Sequence, residues 1–264
     1  MRRSSAVRAR SASLLTQRSY PAVARETPPI LVESAAGRSR SGPRRADAAV
    51  MAVPASAWRA WTAIAAAIAG VLLLAVWIVA RSSAPDPTPL HMPGLTGPAD
   101  LHDAARVLGR NLLVLALHSC ACLAGYLAGK SLPDEAARYR GVLRAIHDHA
   151  GPVAIAFVSG ATLFSLTTQA YVLGSDASTL AAQGGIPPWL LLVGLLPHAL
   201  PELVALFLPL AAWLLASRRG AWDELRRATI VTTLVALPIL TATALVEVFV
   251  SPHFVLWLRS LHFV

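Results

Sequence analysis

Long apolar runs separated by short polar stretches dominate the pattern of this chain. Five runs approach or exceed the roughly 20 apolar residues that a helix needs to cross a bilayer. We expect the spans at about residues 58–80, 111–129, 153–173, 188–216 and 229–250. Only 14% of the 264 residues are charged, compared with about 25% in soluble domains, and the mean hydropathy is +0.56. The sequence therefore predicts an all-α integral membrane protein with five transmembrane helices.

The stretches between the runs differ in charge, and this difference predicts the orientation. Basic residues follow the second and fourth spans, namely Lys130, Arg138, Arg140, Arg144, Arg218, Arg219, Arg226 and Arg227. The stretch after the third span, residues 174–187, contains no Lys or Arg. Cytoplasmic loops of membrane proteins carry an excess of these residues. We therefore predict a multi-pass membrane protein with a cytoplasmic N-terminus and an external C-terminus.

Composition further divides the chain. Residues 1–56 are rich in Arg, Ser, Ala and Pro, and we expect a disordered basic cytoplasmic tail. Met51 begins a stretch that looks more like the ordinary start of a protein. We therefore hypothesise that residues 1–50 result from a misassigned translation start. The remaining predicted segments are the first span (57–80), an external loop with an interfacial helix (81–110), a four-span core (111–255) and a short external tail (256–264). The net charge of +9 arises mainly in the tail and loops and fits an anionic membrane surface, so we expect the lipid bilayer and not nucleic acid as a partner.

The fourth span is longer than a bilayer requires and contains the helix-breaking residues Pro197, Pro201 and Pro209. Each proline lacks the N–H group that would bond to the carbonyl four residues earlier. We therefore expect this Pro-broken span to tilt, to kink or to split into two half-helices. His198 and Glu202 share one helical face beside the break, as residues i and i+4. Ionisable groups are costly in hydrocarbon, so both are candidates for function.

Other polar groups lie within the predicted spans. Asn111 opens the second span and Glu247 lies near the end of the fifth. We expect both to join His198 and Glu202 in a functional membrane-embedded polar cluster. The remaining special residues are expected to serve packing: His118, Cys120 and Cys122 as buried side chains, and Gly125, Gly129 and Gly160 at close helix contacts.

Three interpretations of this polar cluster are open. A zinc hydrolase would use His-Glu-x-x-His, whereas this chain has one histidine in reversed order and would need His118 or Glu247 as a further ligand. Proton- or ion-coupled transport fits ionisable groups beside a broken helix, although no internal repeat is evident. In the third interpretation, the cluster residues hydrogen-bond to one another or to freed carbonyls and lock the bundle. We favour the third, and expect no catalytic residue, no metal and no cofactor.

Three short motifs occur in order between about Arg106 and Val255. They are Arg110-Asn111-Leu112-Leu113-Val114, Leu196-Pro197-His198-x-x-x-Glu202-Leu203 and Ala244-Leu245-Val246-Glu247-Val248-Phe249-Val250-Ser251-Pro252. They resemble the asparagine, the Pro-His-Gly-x-x-Glu-Leu box and the closing Glu-x-Phe-x-Thr-Pro of the stage II sporulation protein M family of bacterial membrane proteins. The chain departs from the family pattern at three positions, with Ala199 for the glycine, Pro201 as an added proline and Ser251 for the threonine.

This resemblance implies a membrane scaffold that holds peptidoglycan-cleaving partners during septal wall thinning and engulfment in spore formation. The Ala-, Arg- and Gly-rich composition is typical of a high-GC actinobacterium, where relatives occur without engulfment. We therefore expect a non-enzymatic scaffold for cell-envelope remodelling partners, such as peptidoglycan hydrolases or other envelope membrane proteins, with a homo-oligomer left open. The alternative is a proton- or ion-coupled permease or transporter component that uses His198, Glu202 and Glu247.

Overall fold

Six α-helices form the part of the chain that the structure describes. The computed structural model describes residues 53–131, 134–135 and 137–262. The helices are α1 (Ala55–Ser82), α2 (Leu101–Tyr126), α3 (Val142–Gly184), α4 (Pro188–Arg219), α5 (Trp222–Phe249) and α6 (Ser251–His262), with a π-helical turn over Leu127–Ser131. The tail predicted over residues 1–56 lies outside the described residues, except for its last four positions.

Helices α1 to α5 are each long and apolar enough to cross a membrane. This confirms the five predicted spans, because a sustained apolar run is a property that the sequence shows directly. The bounds differ at several ends. Helix α3 begins before the predicted third span and continues to Gly184, through most of the predicted loop 174–187. It ends at Gly185, whose φ of +63° suits a residue without a side chain.

Helix α4 is the central element of the bundle and packs against α1, α2, α5 and α6. Its buried side chains include Leu206 and Phe207, which lie in one core cluster with Leu72 of α1, Leu115 of α2 and Leu240 of α5. Because α4 is surrounded by other helices, its apolar residues face protein on most sides. This position explains why its sequence is apolar nearly all round.

Residues Pro188–Arg219 form one helix, so the predicted split into two half-helices does not occur. Pro197, Pro201 and Pro209 all lie inside the helix. Neighbouring helices can supply partners for backbone groups that prolines leave free within a membrane. A buried, central helix therefore tolerates prolines that would end an isolated one.

Two further predictions differ from the structure. The separate interfacial helix predicted near Asp100 is the first part of α2, because a capping box at Asp100 and Asp103 starts a helix that runs on to Tyr126. The predicted external tail, 256–264, belongs largely to α6, whose buried side chains Ser251, Pro252 and Val255 face α4 and α5. Both differences extend helices beyond the apolar runs that hydropathy marks.

Residues 83–100 connect α1 to α2, and we call them the linker. Three hydrogen bonds attach the linker to the last turns of α3: Ser178 Oγ donates to the carbonyl of Ser83 (2.9 Å), Asp86 N donates to Thr179 Oγ1 (3.0 Å), and Gln183 Nε2 donates to the carbonyl of Thr88 (3.3 Å). The end of the bundle that carries these contacts is called the linker end below.

Candidate functional site

A cavity of about 370 Å³ opens at the linker end, and we call it the polar cavity. Leucines and other apolar side chains of α1, α3 and α4 form much of its wall, including Leu72, Leu180 and Leu191. The polar and charged side chains that line it come from the linker and four helices: His91, Asp103, Arg106, Arg110, Asp176, His198, Glu202 and Glu247. Three of the four residues predicted from the sequence therefore line one cavity.

The fourth predicted residue, Asn111, lies beside Glu202 on the neighbouring helix. Asn111 is 4% exposed and Glu202 is 9% exposed, and the side chain of Thr243 is a further polar neighbour of the Glu202 carboxyl group. Neither Asn111 Nδ2 nor Glu202 Oε2 has a hydrogen-bond partner within the described residues. Buried polar groups almost always have such a partner. These two neighbouring side chains are therefore placed to bond to each other or to a further group.

Glu247 provides a second carboxylate close to Glu202. Its Oε1 lies 3.9 Å from Nη2 of Arg110, and the side chain of Arg110 is 64% exposed. Both Glu247 and Arg110 also act electrostatically on Glu202. One guanidinium group thus lies close to two carboxyl groups at this point of the cavity.

His198 makes its hydrogen bond away from the two glutamates. Its Nδ1 lies 2.6 Å from Oγ of Ser251, and both residues are buried. The bond joins α4 to the first residue of α6, directly after α5. In a tight turn of the linker, Gly94 (φ +76°) packs against Pro252, the residue after Ser251. A Cβ atom at Gly94 would come within 2.8 Å of Pro252 Cγ. These contacts fix the geometry of the linker end.

The remaining special residues of the spans make contacts at or beyond the middle of α4. His118 Nδ1 donates to the carbonyl of Leu206 (2.9 Å), and Cys122 Sγ donates to the carbonyl of Pro209 (3.1 Å). Both side chains are buried, as predicted, whereas Cys120 is exposed on the outer side of α2. Cys120 and Cys122 point to different sides of the helix, so only one of them can face α4.

The metal interpretation needed a third ligand beside His198 and Glu202. His118 is engaged with Leu206, one turn further along α4 than Glu202. Among the residues that the structure describes, no group of three or more His, Cys, Asp or Glu side chains is placed to hold a metal ion. The side chains that line the polar cavity carry carboxyl, guanidinium and imidazole groups. This set suits a ligand that carries both positive and negative charges.

Sequence reasoning missed five polar contributors to the cavity: His91 of the linker, Asp103, Arg106 and Arg110 of α2, and Asp176 of α3. Asp103, Arg106 and Arg110 are spaced by three and four residues, which places them on one helical face. That spacing was a signal for a charged stripe on α2. Asp176 gave no comparable signal, because it falls in a stretch that the sequence predicts to be a loop.

Comparison with known proteins places this arrangement in a family. The family model described as Stage II sporulation protein M matches residues 114–252. The match spans more than half of the chain and contains the box residues His198 and Glu202 and the closing residues Glu247 and Ser251. No curated protein and no solved structure gives a match. The residues that the family motifs share are thus the ones that meet at the linker end, and the chain belongs to the stage II sporulation protein M family.

Proposed function

We propose that this protein is a non-enzymatic, multi-span component of the bacterial plasma membrane that positions or assists partners in cell-envelope remodelling. The observation that carries the proposal is the hydrogen bond between His198 and Ser251. It joins the box of the family to its closing motif and uses the buried histidine to hold α4 against α6. The motif residues thus fix the shape of one end of the bundle. A fixed shape is what a protein needs if it presents a surface to partners.

The proposal places the linker end outside the cytoplasm. The basic residues Lys130, Arg138, Arg218 and Arg226 belong to the opposite end, where the positive-inside rule places the cytoplasm. On this orientation, the linker and α6 face the cell wall. A surface on that side is available to peptidoglycan hydrolases, which act outside the membrane.

A pull-down tests this proposal. The tagged native protein is extracted in mild detergent, and co-purifying proteins are identified by mass spectrometry. We expect the wild type to recover wall hydrolases and Ser251→Ala to recover fewer, because the variant loosens α6 from α4. Ser159→Ala is the matched control, since Ser159 Oγ bonds only within α3, to the carbonyl of Ile155 (2.8 Å). A wild type that recovers no envelope protein contradicts the proposal.

A second function, proton- or ion-coupled transport, is favoured by one specific observation. The carboxyl groups of Glu202 and Glu247 lie close together on the wall of one cavity. Such a pair can take up and release a proton or a cation. Purified protein in liposomes should then carry out proton or sodium flux that Glu202→Gln abolishes. Wild-type liposomes with no flux above empty ones would reject this function.

A further inference from the structure

A second cavity lies beside the polar cavity and opens sideways between α1 and α3. We call it the side groove. It has a volume of about 510 Å³, and its wall is apolar apart from Thr167, with Ile64, Val71 and Ala75 of α1 and Leu163 and Leu166 of α3 among the lining residues. Val71 and Leu163 are 68% and 67% exposed, so the groove is open toward the surrounding membrane.

The two cavities follow the same pair of helices. The side groove is lined by residues 64–75 of α1 and 163–170 of α3, and the polar cavity by residues 72–76 and 173–180 of the same helices. Leu72 lines both. From Val76 to Ile64 a helix extends about 18 Å, and residues 64–75 form the middle of α1 (Ala55–Ser82). Together the two cavities run from the linker end to the middle of the bundle.

The charges of the polar cavity specify what its occupant should carry. Arg106 and Arg110 hold only loose ion pairs, with Asp103 (3.5 Å) and Glu247 (3.9 Å), and both arginine side chains are largely exposed. Guanidinium groups bind phosphate well. Glu202 and Asp176 make no ion pair within the described residues, and the polar neighbours of the Glu202 carboxyl group on α2 and α5, Asn111 and Thr243, are uncharged. An ammonium group would give both carboxyl groups a cationic partner.

We propose that the polar cavity and the side groove together bind one phospholipid with a primary-amine headgroup, such as phosphatidylethanolamine. The phosphate lies against Arg106 and Arg110, the ammonium group lies against Glu202 and Asp176, and one acyl chain fills the side groove. The charged side chains of the polar cavity match the headgroup, and the apolar wall of the side groove matches the acyl chain. Together they favour this class of lipid over a free amine or a free phosphate. The inference does not depend on the proposed scaffold role.

Native mass spectrometry of the full chain in mild detergent tests the inference. The protein is mixed with equal amounts of phosphatidylethanolamine and phosphatidylglycerol, and the bound lipids are compared. We expect phosphatidylethanolamine to bind about tenfold more tightly than phosphatidylglycerol, because only its headgroup carries an ammonium group that can pair with the carboxylates. Phosphatidylcholine, whose quaternary ammonium keeps the charge but has no N–H donor, should bind less tightly than phosphatidylethanolamine. Equal binding of the three lipids, or a preference for phosphatidylglycerol, overturns the inference.

Variants separate the headgroup site from the groove. Asp176→Asn should lower the preference for phosphatidylethanolamine, and since Asp176 is exposed this change leaves the packing intact. Glu202→Gln should lower it further. Arg106→Gln should weaken both lipids alike, because both contain phosphate. A preference that survives Asp176→Asn together with Glu202→Gln overturns the assignment of the ammonium site.

The groove has its own matched pair of variants. Ala67→Trp fills the side groove from an exposed position on α1 and should reduce the binding of every two-chain lipid. Ala63→Trp, one turn away and also exposed, lines neither cavity and should leave binding unchanged. If both tryptophans act alike, the acyl chain does not occupy the groove. Because lipid binding is read without any partner protein, its failure is separate from failure of the pull-down.

Discussion

Helices α3 and α4 are both long membrane-crossing helices, yet they stand in opposite surroundings. In the most apolar part of α4, 56% of the residues are buried within the protein, compared with 6% in α3. The polar groups of the two helices differ accordingly. On α3, Thr167 Oγ1 bonds to the carbonyl of Leu163 (2.9 Å) and Gln169 Nε2 to Ser165 Oγ (3.1 Å), all within the same helix.

On α4, the polar groups bond to other helices. His198 reaches Ser251 of α6, and two carbonyls of α4 accept bonds from His118 and Cys122 of α2. Lipid offers no hydrogen bonds, so a helix that faces lipid must satisfy its own polar groups. A central helix can share them. The difference teaches that the buried polar groups of α4 tie the bundle together, whereas those in the lipid-facing middle of α3 bond within their own helix. Only the last turns of α3 bond elsewhere, to the linker.

The largest expected effect on stability comes from comparing substitutions at two phenylalanines. Phe207 of α4 is fully buried and Phe164 of α3 is 74% exposed. Phe207→Ala should lower the free energy of unfolding by about 3–5 kcal/mol, because it leaves a cavity in the core. Phe164→Ala should change it little, since lipid or detergent fills the space. Denaturant titration in mild detergent measures the free energy of unfolding of both variants. Equal losses of stability would contradict the central position of α4.

A smaller effect is expected from two glycines. A Cβ atom at Gly125 of α2 would collide with the Trp213 side chain of α4, whereas one at Gly160 of α3 meets nothing within 4 Å. Gly125→Ala should therefore destabilise the protein by about 1–3 kcal/mol through overpacking. Gly160→Ala should be neutral or stabilising by up to about 1 kcal/mol, because alanine favours a helix. Thermal unfolding measures the pair, and a stabilising Gly125→Ala would refute the close contact.

The smallest effect concerns two serines. Ser251→Ala removes the partner of His198 and should lower the free energy of unfolding by about 1 kcal/mol. It should also speed amide hydrogen exchange in α6, since the bond holds the start of that helix. Ser159→Ala on α3 removes only a bond within its own helix and should leave both measurements almost unchanged. Unaltered exchange in α6 after Ser251→Ala would show that the hydrogen bond does not hold the helix.

The sequence predicted the spans well because crossing a membrane requires only length and apolar character, which are local properties. It predicted their ends less well. Residues 174–184 of α3 and 251–262 of α6 are helical although hydropathy falls there, since a helix can continue past the hydrocarbon layer. The close contacts predicted at Gly125 and Gly129 are confirmed, against Trp213 and Trp222. The contact predicted at Gly160 is wrong, because α3 presents that face to lipid.

The membership of the polar site could be predicted only in part. His198, Glu202, Glu247 and Asn111 stood out because each is costly inside an apolar run. Their partners did not stand out. Ser251 was marked only as the residue that replaces a motif threonine, and nothing in the sequence paired it with His198, which lies 53 residues away. Such pairings depend on how helices pack, and a single sequence carries no direct record of packing.

The bonds from α2 to the carbonyls of α4 also bear on the order of biogenesis. The chain is made from its N-terminus, so the donors His118 and Cys122 are synthesised before any residue of α4. When α4 follows, the side chains that bond to the carbonyls of Leu206 and Pro209 have therefore already been made. A circular permutation that placed α4 ahead of α2 would reverse this order, and α4 would then be made before the helix that bonds to it.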